Sequence, residues 1–155
     1  MNPIIRPMTP ADFAAAHALW QTAGGIGLSA TDSRENFDRY LARNPGLSLV
    51  AQASRPATPE IAGQRPARQD GDLVGAVLCG HDGRRGYIHH LAVDPGYRRR
   101  GLGRSLVEQC LAGLAAAGID KCHLFVFTGN PTAQVFWKSI GWELRDDLMT
   151  MSKKT

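Results

Sequence analysis

One stretch constrains this chain more than any other: Leu91-Ala92-Val93-Asp94-Pro95-Gly96-Tyr97-Arg98-Arg99-Arg100-Gly101-Leu102-Gly103-Arg104-Ser105. An apolar run that reads as a strand ends here, the chain turns, and two glycines stand where a helix begins. Leu102, Leu106, Val107, Cys110, Leu111 and Leu114 recur at helical spacing, and Gly118 supplies the stop. The first N–H groups of a helix have no partner within it and lie at the positive end of its dipole, so such a start is suited to an anion. Glycine removes the Cβ that would hold a phosphate away from the backbone. Arg98, Arg99, Arg100 and Arg104 add long-range attraction for a ligand with several phosphates. A merely solvated basic surface is the plain alternative, and the adjoining Gly-x-Gly favours the ligand.

Two well-known phosphate loops are excluded. No Gly-Lys-Ser/Thr follows, so the turn is not an NTPase P-loop. Leu106 stands where a dinucleotide fingerprint needs a third Gly or Ala, and no suitable acidic strand end follows.

The rest of the chain fits an α/β domain covering residues 1–155. Residues 4–6 predict a short strand, and Thr9, Pro10 and Asp12 a helix start, with Phe13, Ala16 and Trp20 on one face and Gly24-Gly25 at the end. Asp32-Ser33 opens a second helix with Phe37, Tyr40 and Leu41 on one side, stopped by Asn44-Pro45-Gly46. Strands are expected at 47–53 and 72–78, joined by residues 54–70, a Pro-, Arg- and Gln-rich stretch that reads as disorder or a flap. Asp82-Gly83 predicts a turn into a strand over 87–93. Residues 122–127 read as a central strand covered on both faces, which with the preceding helix makes a parallel βαβ unit. A last helix begins at Asn130-Pro131 and ends at Gly141, with Phe136 expected in the core; residues 142–144 and 148–152 can close the sheet.

Net charge of +4 calls for an anionic partner, and the clustering of arginines at one loop favours a phosphorylated small molecule over nucleic acid or a membrane surface. The three cysteines, Cys79, Cys110 and Cys122, lack paired spacing and sit among apolar residues, as reduced thiols of a cytoplasmic protein would. Neither Cys79 with His81 nor Cys122 with His123 has a second ligand pair, so no metal site is expected. The beginning of the sequence shows no signal pattern, and no apolar stretch is long enough for a membrane span.

Arg98-x-x-Gly101-x-Gly103 after residues 91–95 resembles the acetyl-CoA signature of the GNAT acetyltransferase superfamily, (Q/R)-x-x-G-x-(G/A). The family's second signature, N-x-x-A-x-x-F-Y-x-x-x-G-F, is similar to Asn130, Ala133, Phe136, Trp137, Gly141 and Trp142, at a fitting separation. The turn over residues 80–86 further resembles a bacterial YpeA-like subgroup. The resemblance implies a mixed, mostly antiparallel sheet of six or seven strands with helices on both faces, splayed between the strand that ends at Val93 and the strand over 122–127. It implies acetyl-CoA as co-substrate, its pantetheine arm beside Leu91 and Val93, and its pyrophosphate on N–H groups of Arg99, Arg100, Gly101, Leu102, Gly103, Arg104 and Ser105. Arg98 and Asn130 join that cofactor set, although Asn130 is equally well placed as a helix N-cap. A backbone N–H in residues 91–93 would polarise the thioester carbonyl, and an amine would attack directly with no acyl-enzyme.

Strand alternation places Tyr87, His89, Leu91 and Val93 on one face and His90 on the other. His89 matches a position where the arylalkylamine-acetylating branch of the family carries a proton-relay histidine, so Tyr87 and His89 are the candidate catalytic side chains; a satisfied structural histidine is the competing reading. Trp137 departs from the pattern: many members have a Tyr there as general acid, whereas indole donates a hydrogen bond but is a very poor acid. The acceptor is expected to be a primary amine on a small molecule, amino acid or protein, and a homodimer is left open. A non-catalytic acyl-CoA-binding module is the alternative function.

Overall fold

The computed structural model describes residues 2–54 and 71–155. The expected connection at 54–70 lies outside the described residues except for Ser54. The chain forms two compact units, Met1–Phe125 and Val126–Thr155.

In the first unit the elements are β1 (Ile4–Pro7), α1 (Phe13–Thr22), α2 (Arg34–Arg43), β2 (Leu49–Gln52), β3 (Leu73–His81), β4 (Gly86–Val93), α3 (Leu102–Ala116) and β5 (Cys122–Leu124). The strands form one sheet in the order β1-β2-β3-β4-β5. All pairs are antiparallel except β4–β5, which is parallel because α3 carries the chain back across the sheet. This is the mixed α/β architecture read from the sequence.

Local chemistry explains the helix starts. The Asp12 carboxylate accepts the Thr9 N–H at 2.8 Å and closes a capping box ahead of α1. The same carboxylate takes a fork of two bonds from Arg6 of β1, at 2.7 and 2.8 Å, which ties strand to helix and holds the acid's pKa below its usual range against the opposing effect of burial. Ser33 caps α2 through the Asn36 N–H.

Two apolar layers cover the sheet. On one face Ala16, Leu19 and Trp20 of α1 and Phe37 and Leu41 of α2 pack with Val50, Ala76, Leu78 and Ala92. On the other, α3 buries Leu106, Val107, Cys110 and Leu114. Gly75 and Gly86 let it approach: a Cβ at Gly75 would lie 3.0 Å from Leu106, and one at Gly86 2.5 Å from Leu114. Cys79 and Cys110 are buried and Cys122 half-buried, all as free thiols, with burial pushing Cys122 up to about 12.

Two strand expectations need correction. β5 is three half-buried residues at the end of the sheet among the described residues, not a covered central strand over 122–127. Phe125 and Phe127 are 67% and 62% exposed, so the apolar run outlasts the pairing. Residues 142–144 and 148–152 form no strand, which leaves five strands among the described residues rather than six or seven. In the second unit α4 (Pro131–Ser139) is capped by Asn130, whose Oδ1 accepts the Ala133 N–H at 3.1 Å. Phe136 is half-buried rather than in the core, and Trp137 meets the rings of Phe136 and Trp142 edge to face, each at 5.1 Å.

Candidate active site

The site is built around an irregularity in β4. Leu78 of β3 pairs with His89, and the next pair is Ala76 with Ala92. One residue separates these partners on β3 and two, His90 and Leu91, on β4: a β-bulge. His90 adopts φ 53°, a left-handed conformation that costs a non-glycine residue about 1 kcal/mol or more.

The bulge overturns the alternation expected from the sequence. Tyr87, paired with Gly80, and His89, paired with Leu78, share one face as expected and face α1 and α2. So does Ala92, paired with Ala76, which sends Leu91 and Val93 to the other side. His90, expected opposite His89, lines the same cavity as His89.

That cavity has a volume of about 360 Å³. Trp20 of α1, Asp32, Phe37 and Tyr40 from the α2 region, and Leu78 complete its main walls. His90 Nε2 lies 2.6 Å from Asp32 Oδ1, with both side chains mostly buried. The other Asp32 oxygen accepts the Ser29 N–H at 2.8 Å, so the carboxylate is held from two directions. The Trp20 ring lies 5.4 Å from that of His90. His89 stacks on Tyr87, with ring centroids 6.2 Å apart and planes 8° from parallel, and meets Tyr40 edge to face at 6.3 Å. Burial, reinforced by the neighbouring His90 and partly offset by Asp32, lowers the His89 pKa. Burial also pushes the Tyr40 phenol above its ordinary range, which keeps it protonated.

Just ahead of the bulge, β4 loses a neighbour. It pairs with β5 only at Gly86, Tyr87 and Ile88, and from His89 to Val93 no strand among the described residues pairs with that edge. The Asp94 carboxylate then accepts the Gly96 N–H at 3.0 Å, and Arg98 folds back to donate Nε to the Val93 carbonyl at 2.9 Å. Arg99 and Gly101 both have positive φ, 59° and 78°, which turns the chain into α3. Gly101 caps α3 without a side chain, so the leading N–H groups of Leu102, Gly103 and Arg104 meet no side-chain cap among the described residues. Arg98, Arg99, Arg100 and Arg104 are exposed, Arg100 over the Tyr97 ring and Arg104 paired with Glu108, while Leu102 is buried beneath the helix and Ser105 is half-buried.

The structure therefore brings His89 and His90 into one cavity, with Tyr87 stacked on His89 but not lining it, and places Leu91 and Val93 with residues 98–105 along one strand end and turn. Asn130 belongs to the second unit, where its oxygen caps α4. Trp20, Asp32 and Tyr40 were not singled out by the sequence as site residues. Asp32 reads there as a helix start, and 58 residues separate it from His90. Among the described residues no His, Cys, Asp and Glu cluster could hold a metal, and no helix is long and apolar enough to cross a membrane.

Similar proteins share one name. A protein named acetyltransferase from Sodalis glossinidius is 27% identical over 97% of this chain and 94% of its own length. An acetyltransferase from Pectobacterium atrosepticum is 29% identical over the same shares. Among solved structures, the PaiA N-acetyltransferase of Thermoplasma acidophilum in complex with coenzyme A superposes with a TM-score of 0.71 at 18% identity, covering 94% of this chain and 92% of that one. Ard1 from Thermoplasma volcanium gives 0.71 at 20% identity, covering 94% and 85%. The family model described as the acetyltransferase (GNAT) family matches residues 27–142, three-quarters of the sequence, and the chain belongs to that family.

Proposed function

We propose that this chain is an N-acetyltransferase that takes the acetyl group of acetyl-CoA and passes it to a primary amine held in the cavity beside β4, residues 1–155 serving one catalytic domain. The observation that carries this reading is the second half of β4. Among the described residues one edge is free of a strand partner, the strand leads into a glycine helix start without a side-chain cap, and the bulge presents two imidazoles to an open-mouthed cavity.

The residues fit the co-substrate. Leu91 and Val93 offer backbone groups to an extended arm, as a missing strand would. The N–H groups of Leu102, Gly103 and Arg104, aided by Arg98, Arg99, Arg100, Gly101 and Ser105, would hold the pyrophosphate. When bound, acetyl-CoA supplies a thioester whose carbonyl carbon is the electrophile. An N–H of residues 91–93 would stabilise the developing oxygen charge. The amine attacks directly.

An ammonium must lose a proton before it can attack, since an ordinary amine has a pKa near ~10. The cavity supplies His89 and His90 for that step. Burial keeps His89 neutral, the form that can accept a proton, and Tyr87 stacked on it fixes the plane of its ring. Trp137 is not assigned the role of acid, because indole donates a hydrogen bond but is a very poor acid.

Acetyl-CoA consumption measured over alkylamines, arylalkylamines, amino acids and peptide N-termini tests the reading. Turnover with at least one amine class is expected. Coenzyme A binding without turnover across the whole panel would favour a non-catalytic acyl-CoA-binding module.

A further inference from the structure

We propose that His90, held by Asp32, is the general base that takes the proton from the acceptor ammonium, with Asp32 as its positioning residue. The proposal rests on the acetyltransferase reading and names a residue of the same site.

The two imidazoles in the cavity differ in what holds them. His89 has ring neighbours on both sides but makes no side-chain hydrogen bond among the described residues. His90 has a carboxylate at 2.6 Å, itself fixed by the Ser29 N–H at 2.8 Å. An ionised carboxylate only accepts, so the Nε2 facing it carries the hydrogen, and the ring's lone pair lies on Nδ1. Nδ1 makes no hydrogen bond among the described residues. A base oriented by a third group is the arrangement that proton-abstracting side chains recurrently use.

The backbone supports the same assignment. A non-glycine residue at φ 53° is retained where the surrounding structure over-determines it, and here the bulge turns into the cavity a ring that strict alternation would send to the opposite face. Trp20 contacts that ring at 5.4 Å and limits its swing. The titratable groups that face it are Asp32 from the turn before α2, His89 from its own strand and Tyr40 from α2, whose phenol stays protonated.

The proton account closes. The ammonium gives one proton to the imidazole lone pair, leaving a neutral amine and an imidazolium paired with Asp32. The amine lone pair forms the C–N bond, and the C–S bond breaks with its electron pair on sulfur. The second N–H proton, released as the amide forms, neutralises the thiolate, and the imidazolium gives its proton to solvent. One proton is released per turnover.

The experiment uses the full chain, acetyl-CoA and phenethylamine with its β,β-difluoro analogue, the analogue's nitrogen being far less basic. His90→Gln and Asp32→Asn should each lower kcat/KM for phenethylamine by about 100-fold, with acetyl-CoA affinity unchanged. The double variant should be no worse than either single one. The loss should shrink for the difluoro analogue, which arrives already deprotonated, and Asp32→Glu should recover part of the rate. In ¹⁵N-edited spectra of the free protein, the His90 Nε2 proton should appear downfield and be lost in Asp32→Asn, a readout independent of turnover. A folded His90→Gln variant with wild-type kcat/KM, or one that loses equally with both amines, would overturn the assignment. Failure of the wild type to acetylate any primary amine would instead sink the acetyltransferase reading, and the base with it.

Discussion

The two halves of β4 share one strand and one amino-acid pattern, yet they do different work. From Gly86 to Ile88 the strand is paired on both sides, to β3 and β5, and its alternating residues pack against α3 or face α2. From His89 to Val93 it has one partner, an extra residue and a left-handed backbone. A complete set of ladder bonds makes the first half frame. The lost neighbour and the bulge give the second half free backbone groups and two imidazoles on one side. The proposed chemistry lies where the sheet stops being regular.

The largest expected effect tests the open half. Gly103→Glu places a carboxylate among the leading N–H groups of α3, where the pyrophosphate would lie. Acetyl-CoA affinity should fall by about 100-fold or more, which is ~2.8 kcal/mol, while the melting temperature without ligand changes little. Unaltered binding by calorimetry in the folded variant would separate the glycine turn from the cofactor and break the comparison.

The paired half should fail differently. A Cβ at Gly86 would come within 2.5 Å of Leu114 Cδ1, in a side chain only 1% exposed. Gly86→Ala should cost about 1–3 kcal/mol of stability through overpacking, with kcat/KM per folded molecule unchanged. Urea unfolding beside steady-state kinetics checks this, and a variant of full stability but reduced rate would show that the frame is also site.

Much of this contrast could be read from the sequence, and its decisive part could not. Thr9 with Asp12, Ser33, Gly101 and Gly118 mark helix ends through local chemistry, and local chemistry is what a sequence displays. The strand–turn–helix of residues 91–105 was legible for the same reason. Alternation also predicted that Tyr87 and His89 share a side, because both precede the bulge. His90 carries no composition signal for a left-handed conformation, which Asn or Gly would have announced. Its bond to Asp32 spans 58 residues and depends on how α2 docks. The apolar run 122–127 could not reveal that pairing ends at Leu124, since hydrophobicity alone does not tell a covered strand from an edge.

A smaller effect lies at the junction of the two halves. Because the folded state holds the His89 pKa below its ordinary 6.5, the unfolded chain binds that proton more readily. The contribution to stability is therefore complete above about pH 6.5 and is lost as pH falls toward the depressed folded value. His89→Gln should remove this part of the acid sensitivity, seen as a flatter dependence of the urea midpoint on pH below about 6.5. Identical slopes in both proteins would mean that the ring is not held neutral by burial.

The smallest effect concerns the arginines beside the open half. Arg98 is anchored to the Val93 carbonyl, Arg100 lies over Tyr97, and Arg104 is paired with Glu108, so three of the four have local roles. All four are exposed, and screening by salt is strong at exposed sites. Their pull on a polyphosphate should then be modest, with the dissociation constant for acetyl-CoA weakening by about 3-fold to 10-fold between ~50 and ~300 mM salt. Arg99 has no such local bond among the described residues, so Arg99→Gln should remove more of the salt dependence than Arg104→Gln. A dissociation constant indifferent to salt would leave the backbone N–H groups as the whole anion site and make the basic turn surface only.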